Sequence, residues 1–176
     1  MDFHASVVAW HGEAGQLAVD AASIALAHAR SRRYAVFHVV PAYRANYPEL
    51  CAGGPFDAIK AAGLFRDAAA SRGIAEKLVP QGDEPVVAKF RYSPFFANDL
   101  LRLLRMRRID SVVFAGVATS GVVLSAVRDA GDLDYRITVL ADGCADRDPE
   151  IHHMLLNRLF PTQATVVTAS AWIKSA

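Results

Sequence analysis

A lysine next to the end of a predicted strand is the first feature of this sequence that suggests chemistry. Lys89 stands in the run AKFRYSPFF, one residue before the end of an otherwise apolar segment. Removing a lysine from water costs free energy unless an acid partners it, whereas a lysine at a strand edge can extend its ammonium into solvent. Lys89 alone leaves both interpretations open.

A turn of small residues is the second such feature. The segment GVATSGVVLSAVRDA, residues 116–130, reads as the end of a strand followed by a helix. Successive backbone N–H groups at a helix N-terminus can hold an anion or a developing oxyanion. Many α/β proteins have small residues at such a junction, so this turn alone does not identify a reaction.

Segments with strand and helix periodicity alternate along the chain and determine where these residues lie. We predict strands at 34–40, 85–90, 111–117, 135–141 and 164–168, and helices at 13–30, 57–71, 95–107, 120–130 and 149–159. The continuous apolarity of 111–117 indicates burial on both faces, as in a parallel sheet between two helix layers. The expected fold class is therefore α/β, with an open, mainly parallel sheet, helices on both faces and ligands at the strand carboxyl ends.

Individual helix residues carry further expectations. The helix over 13–30 is expected to turn one face to the core, with Leu17, Ala21, Ile24, Ala25 and His28 at helical spacing. The expected N-caps are Thr119 or Ser120 for the helix over 120–130, and Asp148 for the helix that begins at Pro149.

Length, composition and charge limit the class of protein. The chain has 176 residues, 53% hydrophobic and 21% charged, so we expect one domain over 1–176 with its own core. Nineteen Lys and Arg against 18 Asp and Glu give a net charge of +1, too balanced for a protein whose main partner is nucleic acid. No apolar run approaches the ~20 residues of a membrane span and no signal pattern is present, so we expect a cytoplasmic protein without a membrane partner.

The cysteines and histidines do not suggest a metal site. Cys51 and Cys144 lack metal-ligand spacing with the six histidines, and they form no disulfide framework. His38 is expected to be a strand histidine with a satisfied hydrogen bond. His152 and His153 are neighbours on a helix and so lie on different sides of it. We therefore predict neither a metal nor another cofactor.

Taken together, these segments resemble the isochorismatase-like superfamily, which includes isochorismatases, nicotinamidases and other cysteine hydrolases. The resemblance is close over about residues 84–169 and looser over 1–43. KFRYSPFF looks like the lysine-aromatic-Arg-Tyr-Ser-x-Phe pattern of isochorismatases, and GVATSGVVLSAVRDA is similar to the family's strand-to-helix turn. VLADGCADRDPEIHHMLL looks like the strand, acidic turn and helix that follow it. The resemblance implies a three-layer sandwich.

The resemblance also implies a catalytic acid after the first strand, a lysine, and usually a cysteine at a helix N-terminus. Asp2 is the candidate acid and Lys89 its partner. The family cysteine aligns with Val122, which has no nucleophilic atom, so we expect no covalent acyl-enzyme. Isochorismatases also act without this cysteine, because an aspartate protonates a vinyl ether while water attacks.

The residues themselves leave alternatives to this site open. Asp2 could instead be a frayed, solvated aspartate, and Cys144 or Cys51 could replace the missing nucleophile. In the family an apolar strand of about five residues precedes the aspartate, in the middle of the sheet. Either the start of this sequence is misassigned or truncated, or residues 5–10 form that strand and Asp2 is displaced. The loss of a central strand would leave unpaired backbone groups on both neighbours, to be compensated by rearrangement or another chain.

The remaining site expectations concern substrate contacts. The resemblance implies a cis peptide bond between Val117 and Ala118, and the N–H groups near Ala118 and Val122 are expected to stabilise charge. Tyr92 and Phe95 are expected to bind substrate beside Val117 and Ala118, although aromatic residues after a strand more often belong to the core.

The expected function is hydrolysis of a small polar metabolite by Asp2 and Lys89, without a covalent intermediate. The alternative is a non-catalytic binding or scaffold protein that keeps the hydrolase fold. An intact Asp2–Lys89 hydrogen bond favours the enzyme, and a displaced Asp2 favours the binding protein. We also expect a homo-oligomer, because family members usually associate and the loop over 41–56 is apolar and aromatic.

Overall fold

Two parallel sheets form the centre of the molecule. The computed structural model describes residues 1–66 and 73–175. The strands are β1 (His38–Pro41), β2 (Val86–Lys89), β3 (Ser111–Val117), β4 (Arg136–Ala145) and β5 (Thr165–Val167). β1 pairs with β2, and the second sheet has the order β3-β4-β5. All of these pairings are parallel, so the strand carboxyl ends share one edge of each sheet.

Helices cover both faces of the larger sheet. The α-helices are α1 (Ala5–Trp10), α2 (Gly12–Ser31), α3 (Asp57–Ala61), α4 (Leu100–Met106), α5 (Leu124–Asp132), α6 (Pro149–Met154) and α7 (Ala169–Ser175). Short π-helical segments span Thr119–Val123 and Leu155–Leu159, and 3-10 turns span Glu76–Leu78 and Phe160–Thr162. Successive β4 residues face opposite layers: Val139 packs in the core with α4 and α5, and Leu140 packs with α2 and α7. The predicted α/β fold is confirmed.

Helix α2 forms where the sequence predicts it, but it buries a different face. Leu17 and Ile24 are 59% and 57% exposed, while Ala18 and Ala22 are buried. A Cβ atom on Gly15 would lie 2.5 Å from the carbonyl oxygen of Val8, so α1 approaches α2 too closely for a larger residue. The small residues therefore face inward. Of the expected inward set, only Ala25 is buried.

Several predicted boundaries are wrong for identifiable reasons. The strand predicted over 34–40 is reduced to β1, because its partner β2 has only four residues to pair with. Helix α4 begins at Leu100 instead of residue 95, since the side chains of Ser93 and Asn98 accept hydrogen bonds from the Phe95 and Leu100 N–H groups and hold local turns. The final helix α7 was not predicted, and the predicted helix over 57–71 extends into residues that lie outside the described ranges.

The expectation of a homo-oligomer depends partly on the apolar loop over 41–56, but this loop does not offer an apolar surface for association. Tyr43, Tyr47 and Leu50 are buried and pack together, with Phe56 beside them. Self-association, like the single domain over 1–176, stays a prediction. None of the helices in the described ranges is both long and apolar enough to cross a membrane.

Candidate active site

The first two residues lie between the two sheets and position the candidate acid. The Asp2 N–H donates to the carbonyl oxygen of Val39 in β1 at 2.8 Å. On the other side, the Met1 nitrogen donates to Ala115 O at 2.7 Å, and the Val117 N–H donates to Met1 O at 3.3 Å. A Cβ atom on Gly116 would lie 2.8 Å from Met1 O, so glycine permits this approach. Asp2 is thus held at the carboxyl ends of β1 and β3.

Asp2 and Lys89 meet directly. The Lys89 Nζ lies 2.7 Å from Asp2 Oδ2, and both residues are buried. The ammonium also donates to the carbonyl oxygens of Arg91 at 2.9 Å and Tyr92 at 3.3 Å, so its three N–H groups have three acceptors. The alternatives of a solvated Asp2 and a Lys89 extended into solvent are therefore wrong. The displacement of Asp2 by residues 5–10 is wrong too, since these residues form α1.

The second Asp2 oxygen has no hydrogen-bond partner in the part of the chain that the structure describes. Oδ1 is buried, whereas Oδ2 contacts Lys89. Burial raises the pKa of the Asp2 carboxyl above its ordinary value, and the charge and hydrogen bond of Lys89 oppose that increase. A carboxyl group in this position can hold a proton at Oδ1 and release it to a basic atom placed beside it.

The turn after β3 contains the predicted cis peptide bond between Val117 and Ala118. The expectation that Thr119 or Ser120 caps a helix is wrong, because the chain first forms the π-helical segment Thr119–Val123. The buried Thr119 hydroxyl bonds to Nδ1 of His152 at 2.8 Å instead. The Ser120 N–H donates to Asp146 Oδ2 at 2.6 Å, so one amide of this turn already holds a carboxylate.

The residue that the resemblance aligns with the family cysteine is buried and apolar. Val122 is 2% exposed and belongs to the main core, with Cγ1 3.3 Å from the position of a Cβ on Gly116. Cys144 pairs with Gly116 in the ladder between β3 and β4, and burial raises the pKa of its thiol to about 12. Such a thiol is a poor nucleophile, because the thiolate is the reactive form. Cys51 lies exposed in the loop after β1.

The two aromatic residues expected to bind substrate lie in different surroundings. Tyr92 is half exposed, and its ring centroid is 4.9 Å from that of Phe56. Its Cδ1 would be 4.0 Å from a Cβ atom on Gly121, so the loop after β2 contacts the turn after β3. Phe95 instead packs against Phe114 and Tyr135 in the core, which explains its position without a ligand. Substrate binding by either residue stays a prediction.

Tyr43 is a buried residue that the sequence analysis did not connect with Asp2. It is buried after the carboxyl end of β1, and its hydroxyl donates to Phe90 O at 3.4 Å. Burial raises its pKa to about 12, and the charge of Asp2 contributes to that increase. The sequence feature that could have indicated Tyr43 is its position two residues after the end of a strand, where ligands bind in α/β sheets. Ser93 and Asp129 form a hydrogen bond that connects the loop after β2 to α5. The sequence analysis missed it, because no local sequence pattern indicates a contact between these residues.

Two histidines that the sequence analysis considered, His38 and His152, form structural hydrogen bonds. His38 Nε2 lies 2.9 Å from Glu84 Oε2, as expected for a strand histidine with a satisfied hydrogen bond. Over residues 1–66 and 73–175, no three or more His, Cys, Asp or Glu side chains are grouped so that they could hold a metal ion. Independence from metals and other cofactors stays a prediction.

The isochorismatase domain, as a sequence family, matches residues 1–171. The chain belongs to the isochorismatase family. The maleamate amidohydrolase of Pseudomonas putida is similar to it, with 31% identity over 154 residues, which are 86% of this chain and 70% of that relative. An isochorismatase family protein from Desulfovibrio vulgaris has a similar structure, with a TM-score of 0.80 and 27% identity over 90% of this chain and 83% of the other.

A further relative of this isochorismatase-family chain is the ureidoacrylate amidohydrolase RutB of Pseudomonas syringae pv. syringae. It is 42% identical over 77 residues, which are 44% of this chain and 31% of that relative. The matched part of this chain therefore spans less than a third of that relative's length. The family and the fold are established by these similarities.

Proposed function

We propose that this protein is a hydrolase of a small polar metabolite, in which Asp2 acts as acid and base and Lys89 as its electrostatic partner. The observation that carries the proposal is the asymmetry of the Asp2 carboxyl. Oδ2 is bound by Lys89, while Oδ1 is buried with no partner in the described residues. One oxygen is thus held in place and the other is available for proton transfer.

The proposed reaction begins with protonated Asp2. Its proton passes to the substrate as the scissile C–O or C–N bond is activated, and the resulting carboxylate is stabilised by the Lys89 ammonium at 2.7 Å. A water molecule forms the new C–O bond, and the proton that it loses returns to Asp2. One bond to carbon breaks, one forms, and the carboxyl group is regenerated.

The lack of a thiol at the turn supports a route without a covalent intermediate. Val122 has no nucleophilic atom, and the pKa of Cys144 is raised to about 12. The N–H groups near Ala118 and Val122 would stabilise negative charge on the substrate, and Val117 and Tyr92 would contact it. Two relatives are named for hydrolysis of the small amides ureidoacrylate and maleamate. We therefore propose small polar amides, esters and vinyl ethers as the substrate class.

A non-catalytic binding or scaffold protein is the second candidate, and one observation favours it. All three Lys89 donors are occupied by protein oxygens, an arrangement that is also suited to a purely structural ion pair. Turnover distinguishes the two candidates, because a scaffold binds without converting its ligand.

The test is hydrolysis of a panel of small amides, esters and vinyl ethers by the wild type and by Asp2→Asn. We expect Asp2→Asn to lower kcat by ~10²- to 10⁴-fold, the usual contribution of general acid–base catalysis. Asp132→Asn, at an exposed position in α5, is the matched control and should leave kcat unchanged. Circular dichroism and Asp2→Glu separate lost catalysis from lost folding, since Glu keeps the carboxyl group.

Thiol alkylation completes this test. Iodoacetamide should leave the activity intact in the wild type and in Cys51→Ser. Activity that survives Asp2→Asn but is lost on alkylation would overturn the non-covalent route. Ligand binding without turnover on the whole panel would support the scaffold instead.

A further inference from the structure

The loop after β2 carries the two carbonyl groups that bind the Lys89 ammonium. The Nζ atom donates to the carbonyl oxygens of Arg91 at 2.9 Å and Tyr92 at 3.3 Å. The same atom lies 2.7 Å from Asp2 Oδ2. The two carbonyls belong to the consecutive peptide groups between Arg91 and Ser93, and each peptide group is planar. The position of the ammonium therefore depends on how the chain is held at both ends of this short segment.

The side chain of Arg91 holds the first end of the segment. Its guanidinium donates to the carbonyl oxygens of Phe90 at 2.7 Å and Glu49 at 2.9 Å. The guanidinium also lies over the ring of Phe56, 5.5 Å from the ring centroid. These contacts attach the first end to the loop over 41–56.

Ser93 holds the second end. Its hydroxyl donates to Asp129 Oδ2 and accepts a hydrogen bond from the Phe95 N–H at 3.0 Å. A hydroxyl has one proton, so these two partners determine its orientation. The next residue, Pro94, is fully buried and restricts the backbone of Ser93 to extended conformations. The second end is therefore fixed by one side-chain hydrogen bond and by the proline that follows it.

Asp129 connects this end to the helix on the other side of the candidate site. It belongs to α5, which directly continues the π-helical segment Thr119–Val123. In the residues that the structure describes, neither Ser93 nor Asp129 forms a hydrogen bond with Asp2 or Lys89. Any influence of the two residues on the ion pair therefore passes through the backbone of the loop.

We propose that Ser93 and Asp129 are positioning residues, whose hydrogen bond holds the Lys89 ammonium against the candidate acid. Without this hydrogen bond the loop is anchored at one end only. Its two carbonyl groups can then move, and the ammonium follows them away from Asp2 Oδ2. A displacement of about 1 Å at a catalytic group can lower a rate by about 10²-fold. The catalytic part of this inference rests on the proposed function, whereas the placement of the ammonium does not.

The test compares Asp129→Ala with Asp129→Asn. Asn keeps an oxygen that can accept the Ser93 hydroxyl proton, whereas Ala removes the acceptor. Asp132→Ala, at an exposed position in the same helix, is the matched control. We expect Asp129→Ala to lower kcat on the substrate panel by ~10- to 10²-fold, with little change in KM, because the pair does not contact substrate. Asp129→Asn should keep most of the activity, and Asp132→Ala all of it.

A second readout does not depend on turnover. NMR titration of the Asp2 carboxyl carbon follows its protonation, which the charge and hydrogen bond of Lys89 oppose. We expect the Asp2 titration to move to higher pH by about one unit in Asp129→Ala, because the opposite charge recedes. The Met1 amino group and the Tyr43 phenol also interact with Asp2, and both lie outside the loop after β2 and α5. Their effect is therefore common to all variants.

Melting temperatures and circular dichroism separate positioning from a loss of folding. A folded Asp129→Ala protein with a lower melting temperature and an unchanged Asp2 titration would overturn the proposal, because the hydrogen bond would then be purely structural. Equal shifts in Asp129→Ala and Asp132→Ala would overturn it as well. If Asp129→Ala does not fold, Ser93→Ala takes its place, since it removes the donor of the same hydrogen bond and should give the same shift.

The two readouts also distinguish this inference from the proposed function. A wild type that hydrolyses none of the panel, combined with the expected shift of the Asp2 titration, would overturn the proposed function and support the positioning of Lys89. Turnover that is lost in Asp2→Asn but unchanged in a folded Asp129→Ala would do the reverse.

Discussion

Asp2 Oδ2 and Lys89 Nζ lie 2.7 Å apart, and both side chains are withdrawn from solvent. A second carboxylate–lysine pair, Asp20 with Lys77, has the same 2.7 Å separation, but its side chains are 44% and 57% exposed. The two pairs share this separation but differ in burial, and Lys89 also donates to two backbone carbonyl oxygens. Their comparison therefore shows what the buried surroundings as a whole add to the ion pair.

We predict that Lys89→Met destabilises the protein strongly, while Lys77→Met has a much smaller effect. Removing Lys89 leaves a buried carboxyl without its cation, a change that typically costs about 3 to 5 kcal/mol. The free energy of unfolding from urea titration measures both variants. The double variant Asp2→Asn/Lys89→Met should be less destabilised than Lys89→Met. Similar losses for Lys89→Met and Lys77→Met would contradict a buried, interdependent pair.

The Glu84 carboxylate gives a pH-dependent prediction. Its hydrogen bond with Arg30 is the main reason that its pKa is lowered to about 2, and His38 also binds it. A carboxyl group whose pKa is lowered on folding stabilises the protein at pH values above its ordinary pKa of 4.5. This stabilisation is lost as the pH falls towards 2. Glu84→Gln should therefore lower the free energy of unfolding by about 2 to 3 kcal/mol near neutral pH.

Acid titration of stability checks this prediction for Glu84. The difference between the wild type and Glu84→Gln should shrink as the pH falls through the window from 4.5 to about 2. Asp83→Asn is the control, because Asp83 is the exposed neighbour of Glu84. A difference that does not change with pH would mean that the charge of Glu84 is not what stabilises the fold.

The hydrogen bond from Thr119 to His152 predicts a role for one of two adjacent histidines. Thr119 is fully buried, so His152→Ala leaves its hydroxyl without this partner and should cost about 1 to 3 kcal/mol. Burial lowers the pKa of His152, so its contribution is present above about pH 6.5 and declines as the pH falls below it. His153→Ala is the control, since His153 is exposed and bonds only Asn157 among the contacts described.

Thermal unfolding at about pH 8 and pH 5 measures the effect of the two histidine variants. We expect the difference in melting temperature between the wild type and His152→Ala to be larger at the higher pH. If His153→Ala destabilises the protein as much as His152→Ala does, the hydrogen bond to Thr119 is not the cause.

The strands and the ion pair could be predicted from the sequence, because their signals are local or belong to a family pattern. The apolar run of β3 and the Lys89 motif are both of this kind, and Asp2 and Lys89 meet as the resemblance implies. The inward face of α2 could not be predicted from hydropathy, because close contact with α1 selects small residues such as Gly15 over Leu17.

Contacts between residues that are distant in sequence account for most of what was missed. The Thr119 hydroxyl resembles an N-cap in the sequence, and only the packing of α6 brings His152 to it. Tyr43 is buried because the loop after β1 folds inward, with Tyr47 beside it.

The last prediction concerns the position that the resemblance aligns with the family cysteine. Val122→Cys, made in a Cys51→Ser background, exchanges one small apolar side chain for another of similar volume and should cost less than about 1.5 kcal/mol. The resemblance implies that a thiol at this position lies near the Lys89 ammonium, which would hold the thiol pKa below its usual value of about 8.5. We therefore expect Val122→Cys to react with iodoacetamide at neutral pH and to gain activity towards amides and esters.

Val123→Cys provides the matched control, because Val123 is the adjacent, fully buried residue of the same π-helical segment. Its thiol should behave like that of Cys144, whose pKa is raised to about 12 by burial. The pH dependence of alkylation, followed by mass spectrometry, compares the two thiols directly. The turnover that depends on Asp2 should persist in Val122→Cys before alkylation. If both thiols react equally slowly and no new activity arises, Val122 does not occupy a nucleophile position, and the alignment with the family cysteine is wrong.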